Sequence, residues 1–147
     1  NLNVLFRTNK KNDFSSIKKV ASGGELSRLL LIVKSLPASF DKDLTVVFDE
    51  VDSGLSGRIA NNVATKIYEL SKSNQIIAIT HSAQVASKAN QHWKIEKKIE
   101  KDDMQSQIYE LDTDSRILEL ATLISGSKIT EESKKVAIDL LGKTDEK

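Results

Sequence analysis

The stretch VVFDEVDSGLSG, from Val46 to Gly57, places two acidic residues at the end of an apolar run. The run starts at Leu44 and is rich in β-branched residues, a pattern typical of a parallel-sheet strand buried on both faces. Ligands of such sheets bind at the carboxyl ends of the strands. The adjacent carboxylates of Asp49 and Glu50 are therefore candidate site residues. The alternative is a polar strand end that enters a turn, as in any α/β protein.

A helix and a second buried strand follow this acidic pair. The segment from Ser56 to Ser73 has apolar residues at helical spacing, and QIIAIT, from Gln75 to Thr80, predicts a strand. Strand, helix and strand within about 35 residues make a βαβ unit. This unit brings His81 to the sheet edge that carries the acidic pair. The predicted inner face of the helix consists of Ile59, Val63, Ile67 and Leu70.

The three residues at this edge suit a division of labour. One carboxylate can orient Mg²⁺, usually through a water molecule. The other can accept a proton from an attacking water. His81 can contact a phosphate or hold that water. A lone histidine here more often caps a helix or bonds a carbonyl, but its position beside Asp49 and Glu50 favours the site. Apolar residues followed by Asp-Glu form the Walker B pattern of nucleotide hydrolases.

The stretch SGGE, from Ser22 to Glu25, opens a predicted helix that ends before Pro37. Ser22 and Glu25 make a capping box, but this does not explain Gly23 and Gly24, which each cost a helix about 1 kcal/mol. Bare amides at a helix N-terminus bind anions, although an exposed anion gains only about 0.3–1 kcal/mol there. The sequence contains no G-x-x-x-x-G-K-[ST] phosphate loop. We therefore expect SGGE to complete a site whose main phosphate cradle lies elsewhere.

The remaining patterns complete an α/β fold. NLNVLFR alternates like an edge strand, a short helix is expected near residues 83–89, and HWKIEKK and SQIYELD predict two strands joined by a turn from Glu100 to Gln105. Two amphipathic helices, separated by Gly126, end the chain. We predict a mostly parallel sheet flanked by helices, with a short antiparallel hairpin, in one domain over residues 1–147.

Composition excludes several classes of protein. The 147 residues carry a net charge of +1 and include no cysteine, so disulfide scaffolds and thiol chemistry are excluded and no overall field attracts nucleic acid. No apolar run approaches the roughly 20 residues of a membrane span, and no signal peptide is visible. We expect a cytoplasmic protein. The chain starts at Asn1 with a strand pattern, so we also expect a segment of a longer protein.

Taken together, the motifs resemble the carboxy-terminal half of an ABC-type ATPase head, a P-loop NTPase-like fold. SGGE resembles the ABC signature, VVFDE resembles Walker B, and His81 occupies the position of the switch histidine. The residues at the D-loop are Ser53, Gly54, Leu55 and Ser56. A phosphate loop in a distant amino-terminal half points to the SMC-like branch.

VASGGELSRLLL, VVFDEVDSGLSG, ITHSAQVASKANQHW and the terminal helices are similar to the RecN family of bacterial DNA double-strand-break repair proteins, from about Val4 to Leu141. The resemblance implies that Asp49 helps bind Mg²⁺, that Glu50 is the general base and that His81 contacts the γ-phosphate or the water. It also implies that the D-loop residues line a homodimer interface. The residues implied to contact ATP held by the opposing head are Ser22, Gly23, Gly24 and Glu25.

The same resemblance implies an ATPase that is active only in the full-length protein, with ATP and Mg²⁺ as cofactors. Its partners would be the missing Walker A half, a second head, and DNA ends or single strands, with no membrane, in the cytoplasm at the nucleoid. Ser56 departs from the Asp often found in D-loops, and Ala21 stands where many ABC proteins have Leu. Asp52 and Arg28 can serve the site, but a turn residue and a surface residue are equally good interpretations.

Two other interpretations stay open. One is the head of another SMC-like chromosome protein. The other is a non-catalytic interaction module that keeps the ATPase fold, against which the presence of Glu50 argues.

Overall fold

The computed structural model describes residues 5–6, 15–16, 31, 44–55, 57–100 and 103–145. The chain forms two compact units, Asn1–His81 and Ser82–Lys147. None of the described helices combines the length and the apolarity needed to cross a bilayer.

The first unit contains the predicted βαβ arrangement. Strand β1 (Leu5–Phe6) pairs antiparallel with β2 (Ser15–Ser16). Strands β3 (Thr45–Asp49) and β4 (Gln75–Ile79) pair in parallel and are connected by helix α1 (Gly57–Ser71). The register runs from Thr45 opposite Gln75 to Asp49 opposite Ile79. The βαβ prediction is confirmed.

Asn74, only 8% exposed, joins the end of α1 to the start of both parallel strands. Its amide nitrogen donates to the carbonyl of Leu70 at 3.2 Å, and its amide oxygen accepts from the backbone N–H of Leu44 at 3.3 Å. The N–H of Gln75 donates to the carbonyl of Leu44 at 2.8 Å. Because these bonds join three segments at one point, they set the register with which β3 and β4 begin.

Helix α1 buries a stripe that differs from the predicted one at its first position. Ile59 was predicted to face inward but is 41% exposed, whereas Ala60 is 1% exposed. Successive helix positions are separated by about 100°, so turning Ala60 inward moves Ile59 toward solvent. The buried residues are Ala60, Val63, Ala64, Ile67 and Leu70.

The described residues leave one face of the parallel pair open, which corrects the prediction that both strands are buried on both faces. Phe48 is fully buried, but Val47, Ile77 and Ile79 are 45%, 47% and 49% exposed. Side chains alternate along a strand, so these three residues share the face opposite to Phe48. Both faces of the two strands carry apolar side chains, but the described residues cover only part of this surface and leave one face open. We call the face formed by Val47, Ile77 and Ile79 the open face.

The second unit is a hairpin with three helices. Helix α2 (Ala83–Ser87) precedes strands β5 (Trp93–Glu100) and β6 (Asp103–Glu110), and helices α3 (Thr113–Ser125) and α4 (Glu131–Asp145) follow. The antiparallel pairing runs from Trp93 opposite Glu110 to Glu100 opposite Asp103. The predicted turn from Glu100 to Gln105 was too long, because the strand pairing continues through the charged residues as far as Glu100 opposite Asp103.

Small residues hold the helices of the second unit together. Leu120, Ala121 and Ala137 are fully buried, and Ala83 and Ala86 of α2 belong to the same cluster. Gly126, at φ 77°, caps α3 and separates it from α4, as predicted. The partly buried residues packed around the cluster are Ile117, Leu123, Leu140 and Leu141.

His92 lies at the open end of the hairpin, near a hydrogen bond that joins α3 to the segment after α2. Arg116 Nη2 donates to the carbonyl of Ala89 at 2.7 Å, and the N–H of Leu111 donates to the carbonyl of His92 at 2.8 Å. Burial, together with the positive charge of Arg116, lowers the pKa of His92 below its ordinary value of 6.5. Lys94 acts in the same direction and Glu119 opposes it.

We predict that acidification destabilises the chain through His92. Because the folded-state pKa of His92 is lowered, the unfolded chain binds its proton more readily, and stability falls as the pH drops below about 6.5. Urea unfolding between pH 8 and pH 5 should show a smaller loss of stability in His92→Gln than in the original chain. His81→Gln, at an exposed histidine, is the control. Equal pH dependence of His92→Gln and the original chain would contradict the assignment.

Candidate active site

Adjacent ends of β3 and β4 carry the acidic pair and the histidine. Asp49 is the last residue of β3 and lies opposite Ile79, the last residue of β4. Glu50 follows Asp49 directly, and its N–H donates to the carbonyl of Ile79 at 2.9 Å. His81 comes two residues after Ile79. The parallel register therefore brings these predicted residues to one edge of the sheet.

All three residues are accessible to a ligand. Asp49, Glu50 and His81 are exposed. Asp49 shares the open face with Val47, because alternate strand residues lie on one side of a sheet. A phosphate or a hydrated cation can thus reach this edge without displacing a packed side chain.

Glu50 has a left-handed backbone conformation, with φ at 47°. Residues other than glycine pay about 1–2 kcal/mol for this conformation. Two backbone hydrogen bonds fix it: its N–H donates to Ile79, and its carbonyl accepts from the N–H of Ser53 at 3.0 Å. Such backbone outliers concentrate at functional sites. The conformation sets the direction in which the chain leaves β3.

The described residues of the predicted D-loop follow Glu50 in a second turn. The N–H of Leu55 donates to the carbonyl of Asp52 at 3.0 Å, and Gly54 has φ at 71°, which glycine adopts without steric cost. Ser53 thus lies three residues after Glu50 in the chain, and Gly54 and Leu55 follow it. Ser56 lies outside the described residues.

The predicted signature residues Ser22, Gly23, Gly24 and Glu25 also lie outside the described residues. Of the helix predicted to follow them, the structure describes Leu31, which is helical and 7% exposed. The predicted contact between this stretch and a phosphate therefore stays a prediction.

Asp52 and Thr80 form a contact that the sequence did not reveal. Asp52 is only 2% exposed, and its carboxylate accepts a hydrogen bond from the hydroxyl of Thr80. In the sequence, Asp52 had an equally good interpretation as a turn residue, and Thr80 was simply the end of a strand. The sequence shows only that a polar residue lies close to each candidate, Asp52 near Glu50 and Thr80 before His81. It does not show that the two side chains meet, because a pair so far apart in the chain leaves no local pattern.

The donors at this edge are compatible with a hydrated divalent ion. Among the described residues, no group of three or more His, Cys, Asp or Glu side chains is gathered as a metal site. Mg²⁺ is usually bound through one or two carboxylates, several waters and substrate phosphates. An exposed carboxylate such as that of Asp49 fits this mode of binding.

We predict that Glu50→Gly stabilises the chain by about 0.5–1 kcal/mol, because glycine removes the left-handed strain at the cost of some unfolded-state entropy. Glu69→Gly, at an exposed position within α1, is the matched control and should cost about 1 kcal/mol. Urea unfolding of both variants measures the difference. Equal destabilisation by both substitutions would show that Glu50 carries no backbone strain.

Curated relatives of the chain are DNA repair proteins. The DNA repair protein RecN of Bacillus subtilis is 37% identical over 142 residues, which is 97% of this chain and 25% of the relative. RecN of Rickettsia conorii is 42% identical over 145 residues, or 96% of this chain and 26% of the relative. RecN of Deinococcus radiodurans is 38% identical over 84% of this chain and 22% of the relative. The chain thus spans about a quarter of the length of these relatives. No family model matches the chain.

A solved structure has the same fold. It comes from work on the structural biochemistry of ATP-driven dimerization and DNA-stimulated activation of SMC ATPases, and it matches with a TM-score of 0.58 over 80% of this chain and 70% of the other. At 23% identity this likeness concerns the fold alone. The predicted α/β fold class, with a parallel sheet and an antiparallel hairpin, is confirmed. Over nearly its whole length, the chain is therefore a relative of the carboxy-terminal part of the bacterial RecN proteins, with the fold of an SMC ATPase head.

Proposed function

We propose that the chain is the carboxy-terminal part of a RecN-like ATPase head that acts in the repair of DNA double-strand breaks and in recombination. The observation that carries this proposal is the parallel register of β3 and β4, which brings Asp49, Glu50 and His81 to one accessible edge. The similarity to RecN proteins supports the same conclusion. The activity belongs to the complete protein, of which these residues are one segment.

In the proposed reaction, Glu50 accepts a proton from the water that attacks the γ-phosphorus of ATP. As the bond from this water to phosphorus forms, the bond to the β–γ bridging oxygen breaks and ADP leaves with the electron pair. His81 donates a hydrogen bond to a γ-phosphate oxygen or holds the water. Asp49 would hold Mg²⁺, which would supply charge neutralisation at the phosphates. General-base catalysis of this kind contributes about 10²–10⁴-fold.

We further propose that another part of the same protein covers the open face and supplies the Walker A loop. Three apolar residues there are nearly half exposed, namely Val47, Ile77 and Ile79. Parallel strands are usually covered on both faces. The relatives are about four times as long as this chain, and a G-x-x-x-x-G-K-[ST] loop does not occur in its sequence. The three observations support one conclusion, that these residues are half of a head.

Two heads would then close on ATP. The solved structure of the same fold comes from work on ATP-driven dimerization and DNA-stimulated activation of SMC ATPases, which supports a homodimer that engages DNA. That this DNA consists of ends or single strands, and that the protein acts at the nucleoid in the cytoplasm, stay predictions from the resemblance to RecN. The D-loop residues Ser53 to Ser56 would line the dimer interface. The residues proposed to contact the γ-phosphate bound by the opposing head are Ser22, Gly23, Gly24 and Glu25.

We predict that Glu50→Gln in the complete protein lowers ATP turnover by at least 10²-fold, since glutamine cannot accept the proton. ATP binding should persist, because the phosphate-binding groups are unchanged. Steady-state hydrolysis and titration with a fluorescent ATP analogue measure the two quantities.

The matched control is Glu69→Gln, which makes the same change at an exposed position of α1 paired with Lys66. It should leave turnover unchanged. Undiminished turnover in Glu50→Gln would refute the assignment of the base.

A further inference from the structure

The two loops proposed to carry the catalytic groups are joined by a side-chain hydrogen bond. The hydroxyl of Thr80 donates to the carboxylate of Asp52, across 28 positions of sequence. Asp52 lies two residues after Glu50, and Thr80 directly precedes His81. The bond therefore links the segment that presents the base to the segment that presents the histidine.

The burial of Asp52 distinguishes it from an ordinary turn residue. Aspartate in a turn usually accepts hydrogen bonds from nearby backbone N–H groups and stays in water. Here the side chain is 2% exposed and bonds to the end of another strand. A buried carboxylate is tolerated only when it is hydrogen-bonded. Separating the two loops would leave this carboxylate without the Thr80 hydroxyl, so the contact favours one arrangement of the loops.

The loops are held at a second point by the backbone. The N–H of Glu50 donates to the carbonyl of Ile79 at 2.9 Å. This bond connects the same two segments two residues before Asp52 and one residue before Thr80. The backbone bond fixes the strand ends, and the side-chain bond extends the connection to the residues beyond them. Together they constrain both segments in which Glu50 and His81 lie.

We propose that Asp52 and Thr80 are positioning residues, which hold Glu50 and His81 in a fixed relation to one another. This inference rests on the proposed ATPase function. Neither residue needs to touch the nucleotide. Displacement of a reacting group by about 1 Å can lower a rate by 10²-fold, so a bond that fixes two segments matters to the chemical step more than to substrate binding.

The test is Thr80→Val in the complete protein, because valine keeps the shape of threonine and removes its hydroxyl. We expect kcat for ATP to fall about 10–100-fold, with KM and the affinity for a fluorescent ATP analogue changed less than threefold. Thr80→Ser, which restores a hydroxyl, should recover most of the lost kcat. A purely structural role would not lower kcat while leaving KM unchanged, and it would not predict that serine restores kcat.

The same two strands provide a matched control. The hydroxyl of Thr45 donates to the side-chain oxygen of Gln75 at 2.8 Å, at the opposite end of β3 and β4. Thr45→Val thus removes an equivalent bond between the same strands, away from the proposed site. It should leave kcat unchanged.

Each remaining outcome decides the inference. If Thr80→Val is as active as Thr45→Val, Asp52 and Thr80 do not position the site. If Thr80→Val does not fold, Asp52→Leu, which keeps the approximate size of the side chain and removes both acceptor oxygens, replaces it: a fall in kcat without a rise in KM supports the inference, and an unchanged kcat contradicts it. A folded complete protein without any ATP turnover would instead refute the proposed function itself.

Discussion

The parallel pairing of β3 with β4 is the constraint on which the candidate site depends. Asn74 fixes the register where the strands begin, and five residue pairs maintain it as far as Asp49 and Ile79. A slip of one residue would move every side chain to the opposite face of the sheet. Phe48 would then lose its buried position, and the acidic pair would no longer end level with the strand that leads to His81. Burial of one aromatic side chain and placement of the site are thus set by the same hydrogen-bond ladder.

Beyond the strands, the edge is built from features that cost free energy on their own. Glu50 has a left-handed backbone, and Asp52 has a buried carboxylate. Each is held by a connection to the end of β4, through Ile79 for the first and Thr80 for the second. The burial of apolar side chains by α1 contributes stability that offsets the free-energy costs at Glu50 and Asp52. The open face also costs free energy, because its apolar side chains are exposed and the described residues do not cover them.

Much of the fold followed from hydrophobic periodicity and glycine placement. The βαβ unit, the hairpin and the two last helices were all predicted, and motif order identified the related family. The sequence did not predict that Ala60 faces inward and Ile59 outward. Hydrophobic periodicity locates the buried face of a helix with an error of about one residue. The open face, the backbone of Glu50 and the Asp52–Thr80 bond depend on which segments meet in space, which a local pattern does not contain. Ser22 to Glu25 and Ser56 lie outside the described residues, so their roles stay predictions.

The central claim is that these residues are an incomplete half of a head, which supplies an acidic edge and a histidine to ATP held by other segments. The most direct measurement compares Mg²⁺-dependent ATP hydrolysis by this chain alone, by the remainder of the protein alone, and by an equimolar mixture of the two. The account predicts background hydrolysis from each part and turnover only from the mixture. Hydrolysis by this chain alone at the rate of the complete protein would contradict it.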